Sequence, residues 1–267
     1  MAILTGPIQY IGTIDDLTAY RTRNSDKVIV RKKRYFPGKD TFKTAPQYEA
    51  MRRNNAEFTA CAYGGKILRD ALGSLILLAD YNVSPAMNKF CKVLQQQDKI
   101  NAAGKRSIVF SAYKASLTSL VLNKRFVFES VVRQRPVVEI NRAQGELHVQ
   151  MGELIPGFNL QLPWKHAYFR FVLSLGMLGD LHDQGNGYDT SYGRKKVMVN
   201  NVFSNWMLST QKMPAQSFIV KLSYPDLLER DDISLMAGMG IQMGVPVYLN
   251  DIDPVPYAAT ATVLGVA

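Results

Sequence analysis

The residues that could perform chemistry are few and scattered along the chain. There are three histidines (His148, His166 and His182) and two cysteines (Cys61 and Cys91) in 267 residues. A serine or cysteine nucleophile needs a base beside it, and the sequence has no Gly-x-Ser-x-Gly turn and no order that pairs a cysteine with a histidine. The cysteine spacing fits neither a disulfide framework nor a zinc site. We therefore predict a non-enzymatic protein with no catalytic residues, no metal and no cofactor.

Two segments have some features of ligand-binding loops but lack the full pattern. Asp180, Asp183, Asn186 and Asp189 offer oxygen atoms at spacings of three, without the residue order and distal glutamate of a calcium loop. Gly238–Gly244 has the spacing G-x-G-x-x-x-G, and a strand-like run follows it where a dinucleotide site needs a helix. We predict a glycine-containing loop for the first segment, and a strand with a bulge or a close sheet approach for the second.

The strongest signal in the sequence is a cluster of positive charge near the N-terminus. Between Tyr20 and Arg53 there are eleven basic and three acidic residues, a net charge of +8 out of +10 for the whole chain. Such a segment is expected to bind a polyanion or the acidic surface of a partner. The basic residues are Arg21, Arg23, Lys27, Arg31, Lys32, Lys33, Arg34, Lys39, Lys43, Arg52 and Arg53.

The elements that must position these residues are of mixed type. A composition that is 47% hydrophobic and 20% charged is typical of a globular protein. We predict an α+β fold with three regions: a basic β-hairpin arm (1–44), a helical segment (45–122) and an antiparallel, sandwich-like β-domain (123–267). In the arm, residues 17–22 and 27–32 are predicted strands around a polar turn, with Val28 and Val30 on one face and Arg31 on the other.

In the middle region we predict a helix that begins near Pro46 and is broken or bent at Gly64-Gly65, followed by helices over 85–97 and 107–122. The rest of the chain alternates short apolar runs with turn residues, which indicates strands and at least one hairpin with a glycine-containing loop. The predicted strands are 126–132, 137–140, 147–151, 167–175, 196–202, 217–223, 233–243, 245–249 and 258–266.

Several N-terminal motifs stand out: Gly6-Pro7-Ile8, then Gly12-Thr-Ile-Asp-Asp-Leu-Thr-Ala-Tyr20, and further stretches at 53–58 and 65–72. With these motifs the chain resembles a family of uncharacterised proteins common in Bacteroidota. Longer members share the expected layout of a basic hairpin, a helical middle and a β-rich C-terminal half. The resemblance implies one coherent protein of bacterial origin, and it implies no activity, ligand or site residue.

Two functions remain open from the sequence. The first is a structural protein that assembles with itself into a homo-oligomer or filament, its basic hairpin docking on acidic residues of another copy. The second is sequence-nonspecific binding of nucleic acid, in which the same basic residues contact phosphates. The acidic candidates are Asp226, Glu229, Asp231, Asp232, Asp251 and Asp253.

The expected location is the cytoplasm. The N-terminus has no basic segment followed by a long apolar run, and the longest apolar stretch, 75–79, is too short to span a bilayer. Export by a route without such a signal stays open. The terminal stretch 257–267 is uncharged and β-prone, so it is expected to lie in a sheet, either the chain's own or one completed by a neighbour.

Overall fold

The computed structural model describes residues 2–6, 9–22, 25–33, 38–193, 198–248 and 251–267. The chain divides into two compact units, Met1–Arg52 and Arg53–Ala267. Helices and antiparallel sheets are both present, which confirms the predicted α+β class. The finer division into three regions stays a prediction.

The first unit is a small antiparallel sheet followed by a short helix. Its strands pair in the order β1-β4-β3-β2, so the predicted hairpin of β3 and β4 is confirmed and gains a strand on each side. Within the described part of this unit only Ala19 and Val28 are buried. The elements are β1 (Ala2–Leu4), β2 (Gly12–Ile14), β3 (Leu17–Arg21), β4 (Val28–Lys32) and α1 (Lys39–Thr44).

Helices come next along the chain, after a 3-10 turn at Pro46–Tyr48. Helix α2 (Glu49–Leu72) is followed by a 3-10 segment, Gly73–Leu78, and then by α3 (Ser84–Gln97), as predicted. The predicted break at Gly64-Gly65 is wrong. Helix α2 continues through both glycines because they lie against α3, where a Cβ on Gly64 would be 3.0 Å from Cys91 Sγ.

Two predictions for the segment after α3 are also wrong. The helix predicted over 107–122 is reduced to a 3-10 turn, Ser111–Tyr113, and α4 (Lys114–Leu117), because Ile108 pairs with Leu181 as a β-bridge. The strand predicted over 126–132 is instead a single helical turn, α5 (Phe128–Val131).

The remaining strands form the β-rich part of the second unit. Strands β7, β10, β13 and β14 make a sheet in the order β10-β7-β13-β14, with β11 also on β7, while β12, β6 and β5 make a second sheet. The bounds are β5 (Val137–Asn141), β6 (Glu146–Met151), β7 (Tyr168–Gly179), β8 (Leu181–Asp183), β9 (Tyr188–Thr190), β10 (Val199–Phe203), β11 (Met207–Leu208), β12 (Gln216–Lys221), α6 (Pro225–Leu228), β13 (Ile233–Pro246) and β14 (Ile252–Val266).

The β5–β6 hairpin is confirmed, and the strands predicted over 233–243 and 245–249 are one strand, β13, as far as Pro246. The C-terminal strand β14 pairs with β13 of its own chain. Part of the stretch predicted as 196–202 lies outside the described residues. The described part of it belongs to β10.

The second unit has three layers around the long sheet. Alternate side chains of β7 point to opposite faces: Phe171 and Leu173 pack with Val149 and Val220 of the second sheet. On the opposite face Val172 packs with Leu68 and the other buried residues of the helical layer. The long sheet is therefore covered on both faces, which explains why β7 and β13 are apolar along nearly their whole length.

Glycines let the helical layer lie directly on this sheet. A Cβ on Gly176 would be 2.1 Å from the Ala71 carbonyl oxygen, and one on Gly238 or Gly240 would be 2.4 Å from a leucine methyl group of the 3-10 segment. The prediction that strand glycines permit a close approach is confirmed at Gly238 and Gly240, and a register shift between Ala237 and Gly238 marks the expected bulge.

Candidate functional site

The predicted basic residues occupy three places in the structure. Arg21, Arg31 and Lys32 lie on β3 and β4, with Lys27 and Lys33 at the ends of β4. The others belong to helices: Lys39 and Lys43 to α1, Arg52 and Arg53 to α2. Arg23 and Arg34 lie outside the described residues.

Some of these cations already have a structural role. Arg52 Nη1 donates to the carbonyl oxygens of Phe42 and Ala45, both at 2.8 Å, and so fixes the end of α1. Arg21 donates to Gln9 Oε1 at 3.2 Å. The guanidinium of Arg31 lies 5.2 Å from the centre of the Tyr20 ring, a cation–π contact.

The lysines of the first unit are the accessible part of the cluster. All five are exposed, and none forms a salt bridge within the described ranges. They keep the capacity to bind an anionic surface. These residues are Lys27, Lys32, Lys33, Lys39 and Lys43.

Exposed apolar side chains accompany these charges. Lys32 pairs across the sheet with Leu17, and Leu17 pairs with Ile14, so the three side chains share a face of the sheet. Both Ile14 and Leu17 are exposed, and so is Ile3 on the opposite face. A unit of about fifty residues normally needs more burial than this to be stable, so the sheet has apolar surface to offer to a partner.

The predicted acidic residues do not form one patch. One group directly precedes the first residue of β13: Glu229, Asp231 and Asp232. The other lies near the opposite end of this strand, where Asp253 pairs with Val245 and the Asp251 carbonyl oxygen accepts the Val247 N–H. Thirteen steps of roughly 3.3 Å place the two groups about 40 Å apart. The side chain of Asp226 lies outside the described residues.

One of these acidic residues, Asp232, is already paired within the chain. Asp232 accepts from Arg230 Nε at 3.0 Å, and this hydrogen bond holds the pKa of the Asp232 carboxyl below its usual value. Asp251 and Asp253 are exposed and make no ion pair within the described part of the chain. Glu229 and Asp231 are exposed and unpaired in the same sense, so what distinguishes Asp251 and Asp253 is the exposed apolar surface beside them, at Val247 and Tyr248.

The described end of the β13–β14 hairpin, which we call the hairpin tip (245–248 and 251–257), is unusually apolar for an exposed surface. Tyr248 is 74% exposed and Tyr257 is 82% exposed, with Val247 exposed beside Asp251. The register between β13 and β14 shifts after Gln242, and Tyr257 has φ +61°, a left-handed conformation that disfavours a bulky side chain. Such an outlier is typical of a functional constraint.

A buried carboxylate that was not predicted from the sequence joins helices α2 and α3. Glu57 contacts Lys92 Nζ at 2.5 Å and accepts the Gly104 N–H at 2.9 Å, with Arg106 at 3.8 Å. Burial disfavours ionisation of Glu57, but the Gly104 hydrogen bond and Lys92 outweigh it, so its pKa lies below the usual value. Lys92 Nζ and the Gly104 amide are both paired with Glu57, so this network stabilises the helix pair.

His182 and Asp180, at the start of the 180–189 loop, each contact a serine of another segment. His182 Nδ1 lies 3.0 Å from Ser107 Oγ, and Asp180 is occupied with the Ser111 amide and hydroxyl at 2.9 and 2.5 Å. The loop itself is the β8–β9 hairpin. In the described ranges no group of three or more acidic, histidine or cysteine side chains is placed to hold a metal ion.

The sequence also gave no sign of a stacked arginine on the long sheet. The Arg170 guanidinium lies 4.6 Å from the Phe203 ring centre and 4.4 Å from that of Trp206, and Gln242 Oε1 accepts from it at 3.0 and 3.2 Å. Burial lowers the pKa of Arg170. Only the pairing of β7 with β13 brings Arg170 and Gln242 together, so no local pattern could have revealed the cluster.

Comparison with known proteins adds no further constraint: no family model, no curated protein and no solved structure matches the chain. Across the described ranges, no helix is both long and apolar enough to cross a bilayer. The similarity to Bacteroidota proteins stays a prediction. Any functional proposal must therefore rest on the surfaces described above.

Proposed function

We propose that this chain is a non-enzymatic structural protein that assembles with copies of itself into a homo-oligomer or filament. The four-stranded sheet of the first unit (β1 to β4), which we call the basic sheet, docks in one copy on the hairpin tip of the next. The observation that carries the proposal is the presence of two different surfaces with exposed apolar side chains. One lies beside Lys32 in the first unit, and the other lies beside Asp251 and Asp253 at the hairpin tip.

The two surfaces are complementary in composition. The basic sheet offers Ile14 and Leu17 beside Lys32, and the hairpin tip offers Tyr248 beside Asp251. Stable interfaces combine an apolar centre rich in aromatic residues with a polar rim, and charge complementarity fixes their orientation. Because the two surfaces differ, the contact is head-to-tail, which closes into a ring or extends as a filament.

The test is a charge exchange. We expect the wild-type chain, purified after nuclease treatment, to form particles of regular symmetry in negative-stain electron microscopy when the salt concentration is lowered. Replacing Arg31, Lys32 and Lys33 by glutamate should give monomers, and so should replacing Asp251 and Asp253 by lysine. A chain with all five substitutions has the charges exchanged, so it should assemble again.

The matched control reverses three exposed lysines elsewhere: Lys105→Glu, Lys165→Glu and Lys212→Glu. It has the same net charge as the first variant and should assemble like the wild type. A monomeric wild-type chain at every salt concentration, as judged by light scattering against its 29.9 kDa mass, would refute the proposal. So would equal loss of assembly in the control.

Nucleic-acid binding is the second candidate, favoured by the exposed lysines and by the Arg31–Tyr20 pair, since single strands bind to cationic surfaces with stacking aromatics. It predicts that the affinity for a labelled 30-nucleotide single strand falls steeply with salt, by anisotropy. The Asp251→Lys, Asp253→Lys variant separates the two functions, because it should no longer assemble but should still bind the single strand.

A further inference from the structure

A groove lies between helices α2 and α3 of the second unit, with a volume of about 840 Å³. The helices run antiparallel here, since Gly65 faces Asn88 near one end and Glu57 faces Lys92 toward the other. The groove extends along eight steps of α3, from Ser84 to Lys92, or roughly 12 Å at about 1.5 Å per residue. The lining residues are Asn54, Asn55, Phe58, Cys61, Asn82, Ser84, Pro85, Asn88, Lys89 and Lys92.

The groove wall is rich in carboxamides that folding leaves unused. Asn54 and Asn55 are exposed, and their side chains form no hydrogen bond with any described residue. Asn88 Oδ1 is buried, yet it accepts no hydrogen bond within the described part of the chain. This oxygen lies against Gly65, where a Cβ would be 2.1 Å away, so it faces α2, and the carboxamides that a ligand can reach are those of the exposed Asn54 and Asn55.

Charge in the groove has a single sign. None of the ten lining residues is acidic, and the exposed Lys89 has no ion-pair partner among the described residues. Lys92 is already neutralised by Glu57 at 2.5 Å. The N-terminus of α3, a 14-residue helix, also opens on the groove at Ser84 and Pro85 and adds partial positive charge. The ligand therefore has a negative group.

An apolar contact completes the groove. Phe58 is 68% exposed and lies one helical turn from Asn54 and Asn55 on α2. Exposed aromatic rings of this kind act as anchors in recognition surfaces when a partner covers them. The combination is therefore an aromatic contact, several carboxamides along an elongated wall, and one free ammonium group.

We propose that the groove binds an extended polypeptide segment that carries an acidic residue. A carboxamide has one carbonyl acceptor and two N–H donors, which match the donor and acceptor of a peptide group. A groove of roughly 12 Å accommodates three to four residues of extended chain at about 3.3 Å each. Main-chain groups pair with the asparagines, an apolar side chain covers Phe58, and the acidic side chain meets Lys89.

The experiment is panning of a random heptapeptide library on phage against the immobilised full chain. Two variants test the groove, Lys89→Glu and Phe58→Ala, both at exposed positions where folding is preserved. Two matched controls lie elsewhere: Lys165→Glu, and Phe158→Ala at a phenylalanine that is 71% exposed. Circular dichroism confirms that all four variants are folded.

We expect enriched peptides to contain aspartate or glutamate. The synthetic consensus peptide, measured by fluorescence anisotropy, should lose at least tenfold in affinity for Lys89→Glu and for Phe58→Ala. It should bind both controls like the wild type. No enrichment, enrichment of peptides without an acid, or equal binding to the groove variants would each overturn the proposal. None of the groove residues belongs to either docking surface of the proposed assembly, so the outcome of the panning is independent of self-assembly.

Discussion

Replacement of Asn123 tests how the outer edge of the long sheet is protected. This side chain is 2% exposed and makes three hydrogen bonds: from Nδ2 to the carbonyl oxygens of Leu78 at 2.8 Å and Ala259 at 3.3 Å, and from the Ala261 N–H to Oδ1 at 2.9 Å. Two of these bonds satisfy backbone groups of β14, the strand at the end of the sheet order. Asn123 thus substitutes for a further strand.

Asn123→Ala leaves three polar backbone groups without a partner. At about 1–3 kcal/mol for each buried group, and with partial access of water, we expect a loss of about 3–5 kcal/mol in the free energy of unfolding. Guanidinium unfolding followed by circular dichroism measures this loss, and an unchanged slope shows that the folded state is otherwise intact. The variant should also aggregate faster at equal concentration, because the edge of β14 becomes available to other chains.

The matched control is Asn200→Ala. Asn200 also joins two strands, but both of its hydrogen bonds are exposed: Nδ2 donates to the Lys221 carbonyl oxygen at 2.9 Å, and Oδ1 accepts the Asn201 N–H at 2.9 Å. Its removal should therefore cost about 1 kcal/mol at most. Equal destabilisation by the two variants, or a loss of under about 1 kcal/mol for Asn123→Ala, would refute the idea that Asn123 closes the edge.

Asn123→Asp adds a pH test to the same position. One oxygen of the new carboxyl still accepts the Ala261 N–H, but the other faces the carbonyl oxygens of Leu78 and Ala259. Burial and these two carbonyl dipoles should therefore raise the pKa of the carboxyl in the folded state. A raised carboxyl pKa means that stability is lost as pH rises above the unfolded value of about 3.9. The variant should be nearest to wild type below pH 4 and weakest near neutrality, and a flat profile would contradict this.

Three further predictions concern the second unit. Gly176→Ala places a Cβ 2.1 Å from the Ala71 carbonyl oxygen and should lower the free energy of unfolding by about 3 kcal/mol or more. The control Gly265→Ala has its nearest contact at 3.4 Å, so its free energy of unfolding should stay within about 0.5 kcal/mol of the wild type in the same assay. Because the pKa of Glu57 is lowered on folding, its contribution to the free energy of unfolding is present above the unfolded pKa near 4.5 and is lost as pH falls. Glu57→Gln should therefore be less stable than the wild type at pH 7, and its stability should fall less steeply as the pH is lowered. Parallel curves of stability against pH for the two proteins would contradict this. Burial raises the pKa of Cys61 to about 11 and that of Cys91 further, so neither native thiol should react with Ellman's reagent at pH 8, while both should react in guanidinium.

The sequence was sufficient where local pattern and final structure agree. The β3–β4 and β5–β6 hairpins and helix α3 follow directly from alternation, turn residues and helical spacing. It failed where distant contacts decide the conformation. Val127–Val132 is rich in β-branched residues, yet α5 forms there, and the 107–122 segment is held by Leu181 and Asp180 from across the chain.

The candidate surfaces show the same division. The basic cluster follows from composition, but only the length of β13 shows that Asp232 and Asp251 are far apart. Likewise, Phe58 and Asn88 lie on different helices, and their common groove depends on the approach of α3 to Gly64 and Gly65. A glycine pair inside a helical pattern is the one local sign that another helix comes close.

The length of β13 and β14 has a mechanical consequence. The two strands carry the hairpin tip, and Val255 packs against the core beneath them. Strand β13 is hydrogen-bonded to β7 on one side and β14 on the other over most of its 14 residues. Antiparallel ladder bonds lie perpendicular to the strands. A pull on the tip along the strand axis therefore loads two rows of hydrogen bonds together in shear, so that they share the force instead of opening one after another. A tip built in this way resists tension along its length far better than a sideways peel.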